Sequence, residues 1–122
     1  MQYVPWHNGS IELMTKVVIY GGACKFRTEV TILRDGWDVT INVSSECKHC
    51  QDYGNSIPSL SFFDLFPERG KPAVGFMENI FYKNADIYLP HVDCPVPCGL
   101  LKAIFAEFDL QLKEAPRFEF ID

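Results

Sequence analysis

The fold of this chain is decided by residues 26–43, which read FRTEVTILRDGWDVTINV. Apolar and polar residues alternate on both sides of Asp35-Gly36, as expected of two strands that each bury one face. Asp-Gly between two such runs is a strong hairpin signal, because a type I′ turn needs positive φ at both central residues. The sequence therefore predicts a β-hairpin with Asp35 and Gly36 at the centre of its turn.

This turn also predicts a register for the two strands. A two-residue loop at Asp35-Gly36 places Arg34 opposite Trp37 and keeps the apolar residues of both strands on one face. Continued to the open end of the hairpin, the same register places Cys24 opposite Cys47. Side chains directly opposed in this way have Cβ atoms about 4.5–5.5 Å apart. We therefore expect these two thiols to lie together on the core side of the sheet.

The elements around the hairpin indicate the fold class. A β-branched run at residues 16–20 predicts a strand before the hairpin, and alternation at residues 117–121 predicts a strand at the end of the chain. Between them, apolar spacing predicts helices over residues 46–53, 73–83 and 98–108. This order predicts an α+β domain whose antiparallel sheet, a three-strand N-terminal meander plus a C-terminal strand, is covered on one face by two to three helices.

Length and composition limit the organisation of the chain. With 122 residues, 48% of them hydrophobic and 22% charged, the chain is large enough for one globular domain with its own core. We expect this domain to occupy residues 16–122 and residues 1–15 to form a flexible N-terminal arm, since the first strand signal begins at Lys16.

The charge pattern and the absence of targeting signals limit the classes of partner that we expect. The formal net charge is −5 and the lysines and arginines are scattered, so nucleic acid is not an expected partner. The sequence has neither a secretory leader nor the run of about 20 apolar residues that a membrane helix needs. We therefore expect a cytoplasmic protein without a membrane partner, and a protein partner is left open.

Five cysteines in a chain of this length are unusual for a cytoplasmic domain. Thiols there are mostly reduced, so grouped cysteines indicate metal binding or thiol chemistry more often than disulfides. His91-x-x-Cys94 and Cys47-x-x-Cys50 both have metal-ligand spacing. Our leading hypothesis is a zinc or iron–sulfur site whose ligands are Cys24, Cys47, Cys94 and His91.

Two other functions stay open from the residues alone. The cysteine of Cys94-Pro95-Val96-Pro97 stands at a predicted helix entrance, where the helix dipole favours a thiolate. This stretch resembles the Cys-Pro-x-Pro signature of TusA-like sulfur carriers, which implies a persulfide on Cys94 as the catalytic group. The third candidate is a non-catalytic protein-interaction module whose cysteines are structural. Since common catalytic motifs such as the P-loop, HExxH and GxSxG are absent, the sequence does not decide whether the protein is an enzyme.

A wider resemblance covers roughly residues 16–121. It is carried by Gly22-Ala23-Cys24, by Ser45-x-Cys47 and by Leu89-Pro90-His91-Val92-Asp93-Cys94-Pro95-Val96-Pro97. With these motifs the chain resembles a family of small uncharacterised proteins found mainly in anaerobic archaea and bacteria. The resemblance implies cysteines at the positions of Cys24, Cys47 and Cys94, with Cys50 and Cys98 as additional residues. It implies no activity.

Overall fold

The computed structural model describes residues 2–5 and 11–122 of the chain, and side chains from Met14 onward. Within these residues five strands form one antiparallel sheet in the order β1-β2-β3-β4-β5. The four α-helices of the described residues all follow β4 along the chain. The strands are β1 (Gln2–Pro5), β2 (Ile11–Tyr20), β3 (Arg27–Asp35), β4 (Asp38–Ser45) and β5 (Ser59–Ser61), and the helices are α1 (Lys48–Asn55), α2 (Phe62–Leu65), α3 (Ile80–Tyr88) and α4 (Val96–Glu107).

The hairpin between β3 and β4 forms, but the predicted register is wrong. Asp35 pairs with Asp38, so the two-residue loop consists of Gly36 and Trp37. Gly36 has φ +63°, whereas Asp35 and Trp37 keep negative φ. A glycine at the first central position is the requirement of a type II′ turn, not of type I′. Each residue of β3 consequently faces a partner two positions further along β4, and a shift of two residues leaves the same side chains on the buried face.

The helices pack on one face of the sheet, which confirms the predicted α+β class. Helix α4 lies against β2 and β3, α1 lies against β4, and α3 packs against both α1 and α4. Both contacts with the sheet are close, because glycines stand at the crossing points. A Cβ atom added to Gly99 of α4 would come within 2.3 Å of Ile19, and one added to Gly54 of α1 within 2.4 Å of Val43.

The predicted helix over residues 73–83 is displaced along the chain. Residues 73–79 contain turns instead, with the Glu78 amide bonded to the carbonyl of Gly75. Helix α3 begins only after Asn79, whose side chain accepts a hydrogen bond of 2.9 Å from the Phe81 amide. Asparagine is among the preferred N-cap residues, and this cap decides where the helix starts.

The predicted C-terminal strand at residues 117–121 is not formed. Residues 113–122 contain no helix or strand, and Phe118 and Phe120 are 88% and 96% exposed. Alternation alone predicted this strand, but no neighbouring strand pairs with these residues within the described chain. Strand β5, after α1, takes the outer position beside β4.

Strands also occur within the region expected to be an N-terminal arm. Gln2–Pro5 pairs with the first residues of β2, from Ile11 to Met14. Met1 and residues 6–10 of that expected arm lie outside the described residues.

An aromatic cluster packs near the turn of the β3–β4 hairpin. Trp37, Phe62 and Phe108 have ring centroids 4.8–6.2 Å apart. The Arg34 guanidinium lies 4.3 Å from the centroid of Phe108, within the range of a cation–π contact.

None of the described helices has the length and apolar character needed to cross a membrane.

Candidate functional site

A cavity of about 480 Å³ lies between the β2–β3 connection, the start of α1 and the segment before α4. Its walls include the apolar side chains of Phe26, Leu89 and Val96. Seven residues with thiol, imidazole or carboxylate side chains also line it: Cys24, Cys47, His49, Cys50, His91, Asp93 and Cys94. The cavity thus brings together residues that are up to 70 positions apart in the chain.

Cys24 reaches the cavity from a short 3-10 turn, Gly22–Cys24, between β2 and β3. The Gly21 amide donates a hydrogen bond of 2.9 Å to the carbonyl of Phe26 and so closes this connection. The Cys24 sulfur occupies the position that a side chain on Gly21 would take, 2.2 Å from the site of its Cβ. Cys24 is exposed to solvent at this place.

Cys47 and Cys50 are held by the first turn of α1. Cys47 is the N-cap residue, and its amide donates a hydrogen bond of 3.0 Å to the hydroxyl oxygen of Ser45. Cys50 follows three positions later, on the same side of the helix, and is 5% exposed. The helix therefore presents one half-buried and one buried thiol to the interior of the molecule.

Cys94 is positioned by the turn that precedes α4. Its amide donates a hydrogen bond of 3.2 Å to the carbonyl of His91, and the next residue, Pro95, is the N-cap of the helix. The half-buried Cys94 sulfur lies 3.7 Å from the Cys50 sulfur. All five cysteines of the chain are free thiols. The loop before α4 and the start of α1 thus place two thiols in direct contact.

Burial and neighbouring thiols control the protonation of Cys50. Desolvation raises the pKa of Cys50 far above its usual range, and the nearby Cys94 and Cys47 thiols raise it further. The pKa of Tyr53 is also raised, first by burial and then by Tyr82, Cys94 and Cys50. The Tyr53 hydroxyl donates a hydrogen bond of 2.8 Å to the carbonyl of Phe81. Burial and the neighbouring thiols therefore both favour the neutral thiol form of Cys50.

The four residues predicted as metal ligands all line this one cavity, although the predicted opposition of Cys24 and Cys47 is wrong. With the observed register, pairing between β3 and β4 ends at Thr28 and Ser45. Cys24 then belongs to the preceding turn and Cys47 to the helix that follows. The described His, Cys, Asp and Glu side chains contain no group of three or more already placed to hold a metal ion.

Sequence reasoning missed the part that Cys50 plays in this site. The family resemblance implied that Cys50 is an additional residue, yet its sulfur makes the closest thiol contact with Cys94. The Cys47-x-x-Cys50 spacing on a helix start was the available signal. Cys98, the other additional cysteine, is not among the residues that line the cavity.

Comparison with known proteins identifies a family whose description assigns no activity. A family model described as "Family of unknown function (DUF6951)" matches residues 15–120. No curated protein matches the chain. No solved structure matches it either.

Proposed function

Because the chain belongs to the family of unknown function DUF6951, whose description assigns no activity, we propose a function from the geometry of the cavity. The domain binds a single thiophilic metal ion, of which Zn²⁺ is the reference case, with Cys50 and Cys94 as the first two ligands. The observation that carries this proposal is the 3.7 Å separation of the two sulfurs.

That separation agrees with the size of a tetrahedral zinc site. Two thiolates on one tetrahedral Zn²⁺, with Zn–S bonds of about 2.3 Å, lie about 3.8 Å apart. In a four-iron cluster each thiolate binds a different iron, which needs a wider spacing. The observed distance therefore favours a single ion over such a cluster.

Cys47 is the third ligand that this arrangement supports best. It stands one helical turn before Cys50, and its thiol is close enough to contribute to the raised pKa of Cys50. Cys24, exposed in the connection between β2 and β3, and His91 are the candidates for the fourth position. Since no described group of three is already arranged around one point, metal binding requires side chains at the cavity wall to turn inward.

Loading of the purified protein tests this proposal. We expect about one equivalent of Zn²⁺ per chain after anaerobic purification, measured by elemental analysis, because three or four thiolate or imidazole ligands hold zinc tightly. Co²⁺ substitution should produce a thiolate-to-metal charge-transfer absorption that reports directly on sulfur ligands.

Single substitutions assign the ligands. Cys94→Ser and Cys50→Ser should each lose most of the bound Zn²⁺, whereas Cys98→Ser should retain it, since Cys98 does not line the cavity. Less than about a tenth of an equivalent of Zn or Fe in the wild-type protein would contradict the proposal. Unchanged zinc binding in Cys94→Ser would contradict the ligand assignment.

A sulfur carrier that uses Cys94 is the second candidate, favoured by the place of this thiol on the wall of an open cavity. The neighbouring Cys50 determines how long a persulfide on Cys94 survives. Attack by the Cys50 thiol on the inner sulfur would form a Cys50–Cys94 disulfide and release hydrogen sulfide. After incubation with a cysteine desulfurase and cysteine, Cys50→Ser should therefore keep a persulfide that Cys94→Ala lacks. If mass spectrometry finds no adduct on Cys50→Ser, sulfur transfer is rejected.

A further inference from the structure

The contact between Cys50 and Cys94 also has the geometry of a reactive dithiol. We infer that, in the metal-free protein, these two thiols reduce small-molecule disulfides that enter the cavity. This activity uses thiols of the proposed metal site but does not depend on the metal. Two observations support this inference. The two sulfurs come from separate segments and lie 3.7 Å apart, and Cys94 is accessible from the cavity.

The two thiols differ in access, which determines their order of reaction. Cys94 is half-buried and stands on a loop at the cavity wall, so a ligand in the cavity reaches it first. Cys50 also lines the cavity, but it is only 5% exposed, in the first turn of α1. Cys94 is thus the attacking thiol and Cys50 the resolving thiol.

The reaction consists of two exchange steps. The Cys94 thiol gives its proton to water, and its thiolate attacks one sulfur of the small disulfide, forms a mixed disulfide and expels the other half as a thiolate. The Cys50 thiol then gives its proton to that thiolate and attacks the Cys94 sulfur of the mixed disulfide, which releases the second half as a thiolate that takes up a proton from water. In total, one small disulfide is reduced to two thiols and the protein thiols are oxidised to a Cys50–Cys94 disulfide.

The geometry permits this bond with small movements. The sulfurs must approach from 3.7 Å to the length of a disulfide, about 2.05 Å. Cys94 lies in the turn between His91 and Pro95 rather than inside a helix, so its side chain can rotate without disturbing a helix. Cys47 and Cys50, which both lie at the start of α1, are the pair that could form a disulfide instead. The link found in the product distinguishes the two pairs.

The cavity indicates the class of disulfide. Its volume of about 480 Å³ suits a small organic molecule, and Phe26, Leu89 and Val96 provide apolar walls. His49 and His91 stand at its exposed side. An uncharged disulfide with short alkyl arms fits this lining, and bis(2-hydroxyethyl) disulfide is a suitable probe.

The test treats the full, metal-free chain with one equivalent of this probe under anaerobic conditions. After an acid quench, intact mass should show a species two hydrogens lighter than the reduced protein, and peptide mapping should link Cys50 to Cys94. Cys50→Ser should stop at the mixed disulfide on Cys94, and Cys94→Ser should react at least about tenfold more slowly. Cys98→Ser is the matched control and should behave as wild type.

Several outcomes would overturn the inference. A Cys47–Cys50 link as the main product, or a mixed disulfide that persists in the wild type, would show that Cys50 does not resolve Cys94. If Cys50→Ser fails to fold, rapid quenching of the wild type gives the same information, because the mixed disulfide on Cys94 must appear before the cross-link. Zinc binding is measured on the same preparation. Zinc binding without cross-linking refutes this inference alone, and cross-linking without zinc binding refutes only the proposed metal function.

Discussion

Two single residues, Cys50 and Glu107, have properties that their neighbours in sequence do not reveal. Cys50 is buried in the core and in contact with Cys94, a residue from another element. Glu107, at the end of α4, is fully buried, and its Oε1 accepts a hydrogen bond of 2.7 Å from Thr15. Its Oε2 has no hydrogen-bond partner among the described residues. Both residues place a titratable group where its charged form is poorly solvated.

Glu107 should make stability depend on pH. Burial raises the pKa of its carboxyl group, which the Thr15 hydroxyl and the charge of Arg34 only partly offset. A raised native pKa stabilises the fold below the unfolded value, about 4.3, and that contribution is lost as pH rises through the native pKa. We expect Glu107→Gln to gain stability relative to wild type between about pH 5 and 8, and to lose this advantage near pH 4.

Urea unfolding of both proteins across this pH range measures the effect. The difference between their free energies of unfolding isolates Glu107, because other carboxylates contribute equally to both. Oε1 of the substituted glutamine can still accept the hydrogen bond from Thr15. Parallel stability curves would show that the carboxyl group does not titrate with a raised pKa.

At the scale of elements, close contacts between helix and sheet determine where the helices lie. Helix α1 approaches β4 at Gly54, and the Gln51 side chain binds the Val43 carbonyl and the Ser45 amide, both at 2.8 Å. Gln51 thereby supplies hydrogen bonds that a neighbouring strand would otherwise make. The start of α1, with Cys47 and Cys50, is therefore held firmly at the end of β4.

Substitution of Gly54 tests this contact. Alanine at this position favours a helix by about 1 kcal/mol, but its Cβ would overlap Val43, which branches at Cβ and cannot move aside. We expect a net loss of about 1–3 kcal/mol in the free energy of unfolding, measured in urea. Gly75→Ala is the matched control, since nothing lies within 4 Å of its added Cβ. Equal stabilities for the two variants would contradict the close packing of α1 on β4.

At the scale of the whole molecule, the core and the cavity are made by elements from distant parts of the chain, whereas the C-terminal segment contributes to neither. The core includes Ile32, Tyr53 and Leu100, from β3, α1 and α4. The cavity joins residue 24 to residue 94. Residues 109–122 are all exposed.

Removal of residues 114–122 should therefore leave the domain nearly as stable as the full chain. We expect a change below about 0.5 kcal/mol in the free energy of unfolding, because exposed side chains contribute little. Leu100→Ala, at a fully buried position, is the comparison and should cost about 2–5 kcal/mol. A loss above about 1 kcal/mol on truncation would show that this segment packs against the domain or another copy in solution.

The sequence by itself determined the hairpin and the α+β class, and it singled out four of the residues that line the cavity but not Cys50. Alternation between Phe26 and Val43 is local, and the two-residue shift in register preserved the buried face. The segment from Leu89 to Pro95 likewise forms its turn and the start of α4 from residues that are close together in the chain.

Only the tertiary structure decided which thiols touch and which predicted strand fails to form. Gly36 takes the first central position of its turn, and Trp37 beside it packs against Phe62 and Phe108, contacts that no local pattern contains. Cys50 meets Cys94 because α1 and the segment before α4 converge on one face of the sheet. Alternation at residues 117–121 lacks a partner strand, and a strand needs hydrogen bonds from a neighbour that its own sequence cannot supply.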